Sequence, residues 1–367
     1  MKYRRRLLIK NHRQEEENTP LLAAAIKENV AWHRARNPEY ARLLEGMGFE
    51  EASFDRLSRL PILTTAFLKK HPMNTLSRAP YVARSSGTSG LKSAIPYSPS
   101  DLGILLLMSA RAMGRRGLFS PKPVNYVMLG YQYHKSNRAQ TMRTAYLATL
   151  MAPALRKSFA LRYREGGYHQ DLEGLLADMD KFSRSPFPCR IVGFPSYLYF
   201  VLQLMEERGL RLKMPGDSKI LLGGGWKQFY REEVEKESLY RLALERLGIE
   251  EKDIIEVFGV VEHPVIYCDC ERHHFHVPPY SRVIIRDPES LRPLPMGRPG
   301  LMNFVSPVLK GSPVVSLMTD DIGILHDGAG CGCGNPSPYF TVLGRAGMAE
   351  IKTCVQGANE YLGKERL

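Results

Sequence analysis

The chain has 367 residues, 44% of them hydrophobic and 24% charged, with 51 Lys and Arg against 38 Asp and Glu for a net charge of +13. That is the composition of an ordinary soluble globular protein, long enough for a large core with more than one subdomain. The positive field favours acidic partners such as nucleotides, an acidic carrier protein or an anionic surface. The basic residues are dispersed without an aromatic-interleaved motif, which argues against nucleic acid. Only Lys2-Tyr-Arg-Arg-Arg-Leu-Leu-Ile-Lys10 is compactly basic, and it lacks the apolar core and cleavage site of a signal peptide. No stretch approaches the roughly 18 apolar residues of a membrane span, so the expected location is the cytoplasm.

Residues from about 17 to 60 read as packed helices, with Pro20 in the first turn of one that runs through Trp32. Next comes Tyr81-Val-Ala-Arg-Ser-Ser-Gly-Thr-Ser-Gly-Leu-Lys-Ser-Ala-Ile-Pro-Tyr97, in which two strand-like runs flank a loop of hydroxyls and glycines. Backbone N–H groups freed by Gly87 and Gly90, with the hydroxyls of Ser85, Ser86, Thr88 and Ser89, suit phosphate oxygens. The spacing fits neither a P-loop nor a dinucleotide fingerprint. A capped helix follows from Ser98. Val124–Gly130 and Arg190–Phe194 read as buried strands, and Pro195–Met205 reads as a helix. The alternation implies an α/β architecture with parallel pairing. Ser218–Leu222 reads as a strand that ends in Gly223, Gly224 and Gly225, where bare backbone can face a flat ligand. The stretch Glu251–Glu262 reads as a further strand ending in a glycine turn and a carboxylate, and on its residues alone Glu262 is an ordinary exposed glutamate.

Six cysteines, four of them in two Cys-x-Cys pairs, point to metal rather than disulfides in a chain without a secretion signal. Tyr267-Cys-Asp-Cys-Glu-Arg-His-His-Phe-His276 and Cys331-Gly-Cys333 supply soft thiolates and imidazoles suited to tetrahedral Zn²⁺. The expected ligands are Cys270, His276, Cys331 and Cys333. Cys268 in place of Cys270 and His274 in place of His276 remain open. Four filled positions imply a structural ion. Cys189, ahead of a buried strand, reads as core.

Ser85-Ser-Gly-Thr-Ser-Gly90 resembles the phosphate loop of the adenylate-forming superfamily, and its continuation to Asp101 resembles the phenylacetate-CoA ligase and LuxE acyl-protein synthetase branch. Gly224-Gly-Trp-Lys227 narrows the resemblance to the LuxE family. This implies a large N-terminal adenylate-forming domain, with mixed or parallel sheets flanked by helices and a truncated C-terminal lid. The corresponding boundaries are an N-terminal helical segment over 1–75, a core over 76–343 with a zinc-stapled subdomain at about 264–340, and a short tail over 344–367. By the resemblance, Gly223, Gly224 and Gly225 flank adenine, Trp226 stacks, and Lys227 reaches a phosphate or the substrate carboxylate. Phe258, Gly259 and Glu262 match an element whose carboxylate holds Mg²⁺, although Val261 replaces its threonine. Asp321 matches the ribose-binding aspartate, with Asp320 in place of the usual glycine, and Arg345 matches the arginine that contacts ribose or phosphate.

Only 22 residues follow Arg345, too few for a lid domain. Within the LuxE resemblance Cys354 stands where a cysteine takes the acyl group from acyl-AMP before passing it to a reductase partner. The implied activity is ATP-dependent activation of a carboxylic acid, followed by transfer to a thiol. CoA or an acidic carrier protein is the alternative acceptor. A zinc-containing nucleotide-binding protein without catalysis is the alternative of another class.

Overall fold

The computed structural model describes residues 1–9, 15–50, 56–85, 92–134, 146, 148–226 and 234–346. Its named helices are α1 (Lys2–Ile9), α2 (Glu15–Arg34), α3 (Pro38–Gly46), α4 (Thr65–Lys70), α5 (Pro99–Gly114), α6 (Leu172–Ser183), α7 (Pro195–Glu207) and α8 (Lys236–Leu247). The strands up to the glycine run are β1 (Leu63–Thr64), β2 (Tyr81–Arg84), β3 (Ala94–Tyr97), β4 (Val124–Tyr131), β5 (Ala154–Arg164), β6 (Gly167–Gln170), β7 (Cys189–Gly193) and β8 (Lys219–Gly223). They are followed by β9 (Ile254–Val260), β10 (His263–Cys268), β11 (Phe275–His276), β12 (Arg282–Arg286), β13 (Pro299–Val305), β14 (Ser316–His326) and β15 (Tyr339–Arg345). Among the described residues, no helix is long and apolar enough to cross a membrane.

The chain divides into two compact units. One comprises Met1–Ser109, Gly259–Tyr267 and the described residues from His274 onward; the other comprises Ala110–Phe258 and Cys268–His273. The second unit is built on a sheet of order β9-β8-β7-β4-β5-β6. Neighbours from β9 through β5 pair in parallel, and β6 returns antiparallel to β5. Runs such as Ile220-Leu221-Leu222 are apolar throughout because both faces of a parallel strand are covered. Their core includes Val127, Ile191, Ile220, Leu222, Leu202 and Leu247. Cys189 is fully buried within it, and burial pushes its thiol up to about 12.

The first unit holds a mixed sheet of order β11-β15-β14-β13-β12, with β1 paired in parallel to β14. It also holds the two-stranded ribbon β2-β3, in which Arg84 lies opposite Ala94 at the mouth of the hydroxyl-rich loop. Helix starts follow their caps. Asn37 Oδ1 accepts from Tyr40 N at 2.9 Å and Thr64 Oγ1 accepts from Phe67 N at 3.1 Å. At α5, Ser98 Oγ accepts from Asp101 N at 3.1 Å while Asp101 Oδ2 accepts from Ser98 N at 2.8 Å, a reciprocal capping box. Helix α2 begins at Glu15, so Pro20 lies inside it rather than in its first turn. A proline one turn into a helix forfeits a single i−4 bond, and the helix persists through it.

The N-terminal helices grip the loop between β13 and β14. The Asn29 side-chain amide donates to the carbonyls of Pro307 and Leu309 at 3.0 and 2.6 Å. His33 lies 2.7 Å from Thr75 Oγ1 through Nδ1 and 3.1 Å from the Leu309 carbonyl through Nε2. Arg4 donates to the Val308 carbonyl at 2.7 Å and pairs with fully buried Asp101 at 2.5 Å. Asp101 also accepts from Lys310 N and Gly311 N, each at 3.1 Å. Gly311 is obligatory for contact reasons, since a Cβ there would fall 2.0 Å from the Pro96 carbonyl oxygen in β3.

Candidate active site

Ser85 closes the base of the hydroxyl-rich loop. Its N–H donates to the Ser93 carbonyl at 3.1 Å, and its hydroxyl accepts from Ser93 N at 2.9 Å. Ser86, Gly87, Thr88, Ser89 and Gly90 lie outside the described residues, as do Lys227 and Cys354.

Glu262 stands in the turn between β9 and β10, and the structure buries it to 4% exposure. It is therefore not the surface glutamate that its residue type alone suggests. The hydroxyl of fully buried Ser93 donates to Glu262 Oε1. A hydroxyl donor in a dry setting fixes one carboxylate oxygen in place. The field of this carboxylate reaches nearby groups. Burial above all, with Tyr81, Asp101 and Glu262 adding to it, drives the Tyr97 phenol well above its ordinary range. Ser93 was not singled out by the sequence, because nothing local distinguishes a serine that will meet a glutamate 169 positions away.

Asp321 lies on β14, also 4% exposed, opposite Arg345 on β15. Arg345 Nε donates to Asp321 Oδ1 at 2.9 Å, and Asp321 N donates to Thr319 Oγ1 at 3.2 Å. Asp321 Oδ2 is buried with no hydrogen-bond partner among the described residues. Such an acceptor is costly unless a ligand supplies donors. Burial by itself lowers the affinity of Arg345 for its proton. The Asp321 carboxylate, with Asp320 and Glu262 beyond it, more than offsets this and holds the guanidinium above its ordinary value.

In the second unit, Gly223 ends β8 against Val257 of β9, where an added Cβ would approach Val257 Cγ2 to 2.8 Å. Gly224 and Gly225 take φ of +80° and +64°, which a side chain rarely tolerates, and both are exposed. Trp226 is 7% exposed, its indole packed 5.6 Å from the Tyr199 ring. Phe258 is half-buried on β9 and Gly259 is exposed beside it.

The ligand atoms of Cys270, His276, Cys331 and Cys333 all lie within 4.8 Å of one another. His276 Nε2 is 3.2 Å from both Cys331 Sγ and Cys333 Sγ. Its Nδ1 is 2.7 Å from the Ser337 carbonyl, which can only accept. Nδ1 therefore donates to that carbonyl and Nε2 is the nitrogen turned to the thiols, the orientation typical of a metal-bound imidazole. Two thiols and an imidazole in such contact, with a third thiol beside them, form a soft donor set of the kind that holds Zn²⁺. His274 Nδ1 is 3.1 Å from Cys331 Sγ, and its ring stacks on Tyr339 at 4.1 Å. Cys268 stands outside the group, and burial, with Asp269 adding to it, pushes its thiol up to about 12.

Comparison with known proteins gives consistent matches. The chain is 26% identical over 342 residues to the long-chain-fatty-acid–luciferin-component ligase of Vibrio harveyi, covering 92% of this chain and 87% of that protein. It is 24% identical over 349 residues to the phenylacetate-coenzyme A ligase of Thermus thermophilus, covering 92% and 71%. Among solved structures, a 2-hydroxyisobutyryl-CoA ligase in complex with 2-HIB-AMP superposes with a TM-score of 0.68 at 16% identity, covering 90% of this chain and 68% of that one. That likeness establishes the adenylate-forming fold. A family model described as "Acyl-protein synthetase, LuxE" matches residues 11–363, and the chain belongs to that family.

Proposed function

We infer that the protein activates a carboxylic acid with ATP, forming acyl-AMP and pyrophosphate, and then passes the acyl group to a thiol. Membership of the acyl-protein synthetase family carries this reading. The observation that supports it at residue level is the buried Asp321 carboxylate, one oxygen held by Arg345 and the other without a donor. A ribose, with two adjacent hydroxyls, offers donors to that second oxygen. Glu262, oriented by Ser93, is the residue suited to a Mg²⁺ ion on the phosphates, a hard cation that takes oxygen ligands. Such an ion would offset phosphate charge as the carboxylate attacks. The open glycines Gly224 and Gly225 suit the adenine face, and Trp226 beside them in sequence is buried against Tyr199.

The relatives in Vibrio harveyi and Thermus thermophilus are described as acting on long-chain fatty acids and on phenylacetate. An apolar monocarboxylic acid is accordingly the substrate class to test first. Cys354 is the acceptor we favour, with CoA or a carrier-protein thiol as the second reading. We assign a structural Zn²⁺ to Cys270, His276, Cys331 and Cys333 because their ligand atoms converge. Thiols kept reduced for that purpose fit a cytoplasmic protein.

Intact-protein mass spectrometry after incubation with ATP, Mg²⁺ and a mixture of carboxylic acids tests the whole sequence. The expected result is a hydroxylamine-labile acyl adduct on the wild type that is missing in Cys354→Ser. Pyrophosphate release without an adduct would move the acceptor to CoA or a carrier. No ATP–pyrophosphate exchange with any acid would refute the catalytic reading.

A further inference from the structure

The basic residues of this chain are dispersed, but its acidic residues are not. Residues 102–164 contain eleven Lys and Arg and no Asp or Glu, so this stretch supplies +11 of the net charge of +13. Most of it lies in the second unit, in the segment before β4, in β4 and in β5. Some of these cations meet carboxylates from elsewhere in the unit: Arg116 meets Asp269, and Arg162 meets Asp171 and Asp178. Arg115, Lys122 and Arg156 are exposed and have no ion-pair partner among the described residues.

The open charges border exposed apolar side chains. Ser120 N donates to the Met151 carbonyl at 3.2 Å, and Val124 N donates to the Pro153 carbonyl at 2.9 Å. These bonds bring the segment of Phe119 and Lys122 alongside that of Leu150 and Leu155, which are 62% and 48% exposed. Lys157 Nζ donates to Thr149 Oγ1 at 2.8 Å and stands 5.0 Å from the Tyr146 ring, which lies 5.0 Å from that of Tyr133. Both tyrosines are exposed. Aromatic and aliphatic surface interspersed with cations marks an interface.

The backbone indicates the class of partner. Strand β5 is eleven residues long, yet β6 pairs only with residues 161–164 of it, and Asp171 N occupies the next position at the Ala160 carbonyl. Along residues 154–159 the only described strand beside β5 is β4. Ala154, Leu155, Arg156 and Lys157 are exposed in succession, so both faces of the strand are open there as well as its edge. A row of edge amides and carbonyls is matched by another strand, and by neither a lipid surface nor a nucleic acid. Arg156 and Lys157 select the strand: they repel a second copy of this basic edge and attract an acidic one. We propose that residues 154–159 form a docking edge for an extended acidic segment of another protein. That segment adds to the sheet beside β5, with carboxylates against Arg156 and Lys157 and an apolar side chain against Leu155.

The test uses the full chain and reads no activity, so it stands apart from the reaction proposed above. The probe is a capped, fluorescent heptapeptide of alternating Glu and Val, with a Lys-for-Glu counterpart and a version N-methylated at alternate residues. At saturation the acidic peptide is expected to slow hydrogen exchange of amides within residues 154–159 by at least tenfold. Its affinity, read by anisotropy, should fall at least tenfold in the Arg156→Glu, Lys157→Glu double variant, weaken with salt, and vanish on N-methylation. Both substituted side chains are exposed, and unchanged exchange in β7 and β8 verifies the fold of the variant. No binding of the acidic peptide, or equal binding of the lysine or N-methylated peptide, would overturn the proposal. A dimer that protects residues 154–159 without peptide would overturn it in favour of a second copy. Tighter binding of phosphatidylglycerol vesicles or oligothymidylate, lost in the same variant, would overturn it in favour of a membrane or a nucleic acid.

Discussion

His33 provides a quantitative test of how the N-terminal helices are held. Burial lowers its affinity for a proton most; the Leu309 carbonyl works in the opposite direction, and the Arg4 cation adds to the lowering, bringing the folded value from 6.5 to about 4. The folded state thus disfavours the imidazolium, while the unfolded chain binds a proton normally near 6.5. The stabilisation is complete above the unfolded value and is lost as pH falls through 6.5 towards 4. Linkage over that interval gives a loss of roughly 2 kcal/mol between pH 7.5 and pH 5, approaching about 3 kcal/mol below pH 4. Carboxylates and His263 titrate in any variant, so the contrast to measure is wild type against His33→Gln, by urea unfolding at both pH values. His33→Gln is expected to be the less stable at pH 7.5, because it loses the fit to Thr75 Oγ1 and the Leu309 carbonyl. The gap should narrow by roughly 2 kcal/mol at pH 5. If the two proteins lose stability in parallel, His33 is not held neutral and the account of the latch fails.

Removing the Ser93 hydroxyl leaves Glu262 Oε1 without its donor. Ser93→Ala is expected to slow ATP–pyrophosphate exchange by about 10- to 100-fold, the worth of a hydrogen bond to a charged group, while circular dichroism is unchanged. For the metal cluster, the protein purified in metal-free buffer should carry one zinc per chain by plasma mass spectrometry. Cys331→Ser and His276→Ala should lose the metal and melt at lower temperature. Cys268→Ser should retain it, since that thiol stands outside the group. Gly311→Ala drives a methyl into the Pro96 carbonyl, and an expected loss of more than about 2 kcal/mol is measurable by urea unfolding.

Elements defined by local pattern were legible in the sequence. The β2-loop-β3 ribbon declared itself through apolar runs around a glycine-rich loop, and β4, β7 and β8 through continuous aliphatic residues. The cysteine and histidine motifs were legible too, because few other arrangements of soft donors have a use. Burial of polar side chains was not. Glu262 meets Ser93, Arg4 meets Asp101, and His33 meets Leu309 across separations of 169, 97 and 276 residues. Periodicity within a window says nothing about such pairings. The start of α2 was misplaced for a different reason: proline marks a helix start statistically, yet a long helix absorbs one missing bond.

The pairing of Arg345 with Asp321 fixes the root of the last chain segment, and Cys354 follows nine residues later. Fully extended, that span reaches about 30 Å, so the thiol always stays within one protein diameter of its anchor. A tether this short corresponds to a local concentration in the millimolar range. Acylation of Cys354 would then be first order in protein and indifferent to dilution. A free thiol in solution would have to approach millimolar concentrations before it competed. If Cys354 is the acceptor, the short strand β15 sets the kinetic order of the transfer.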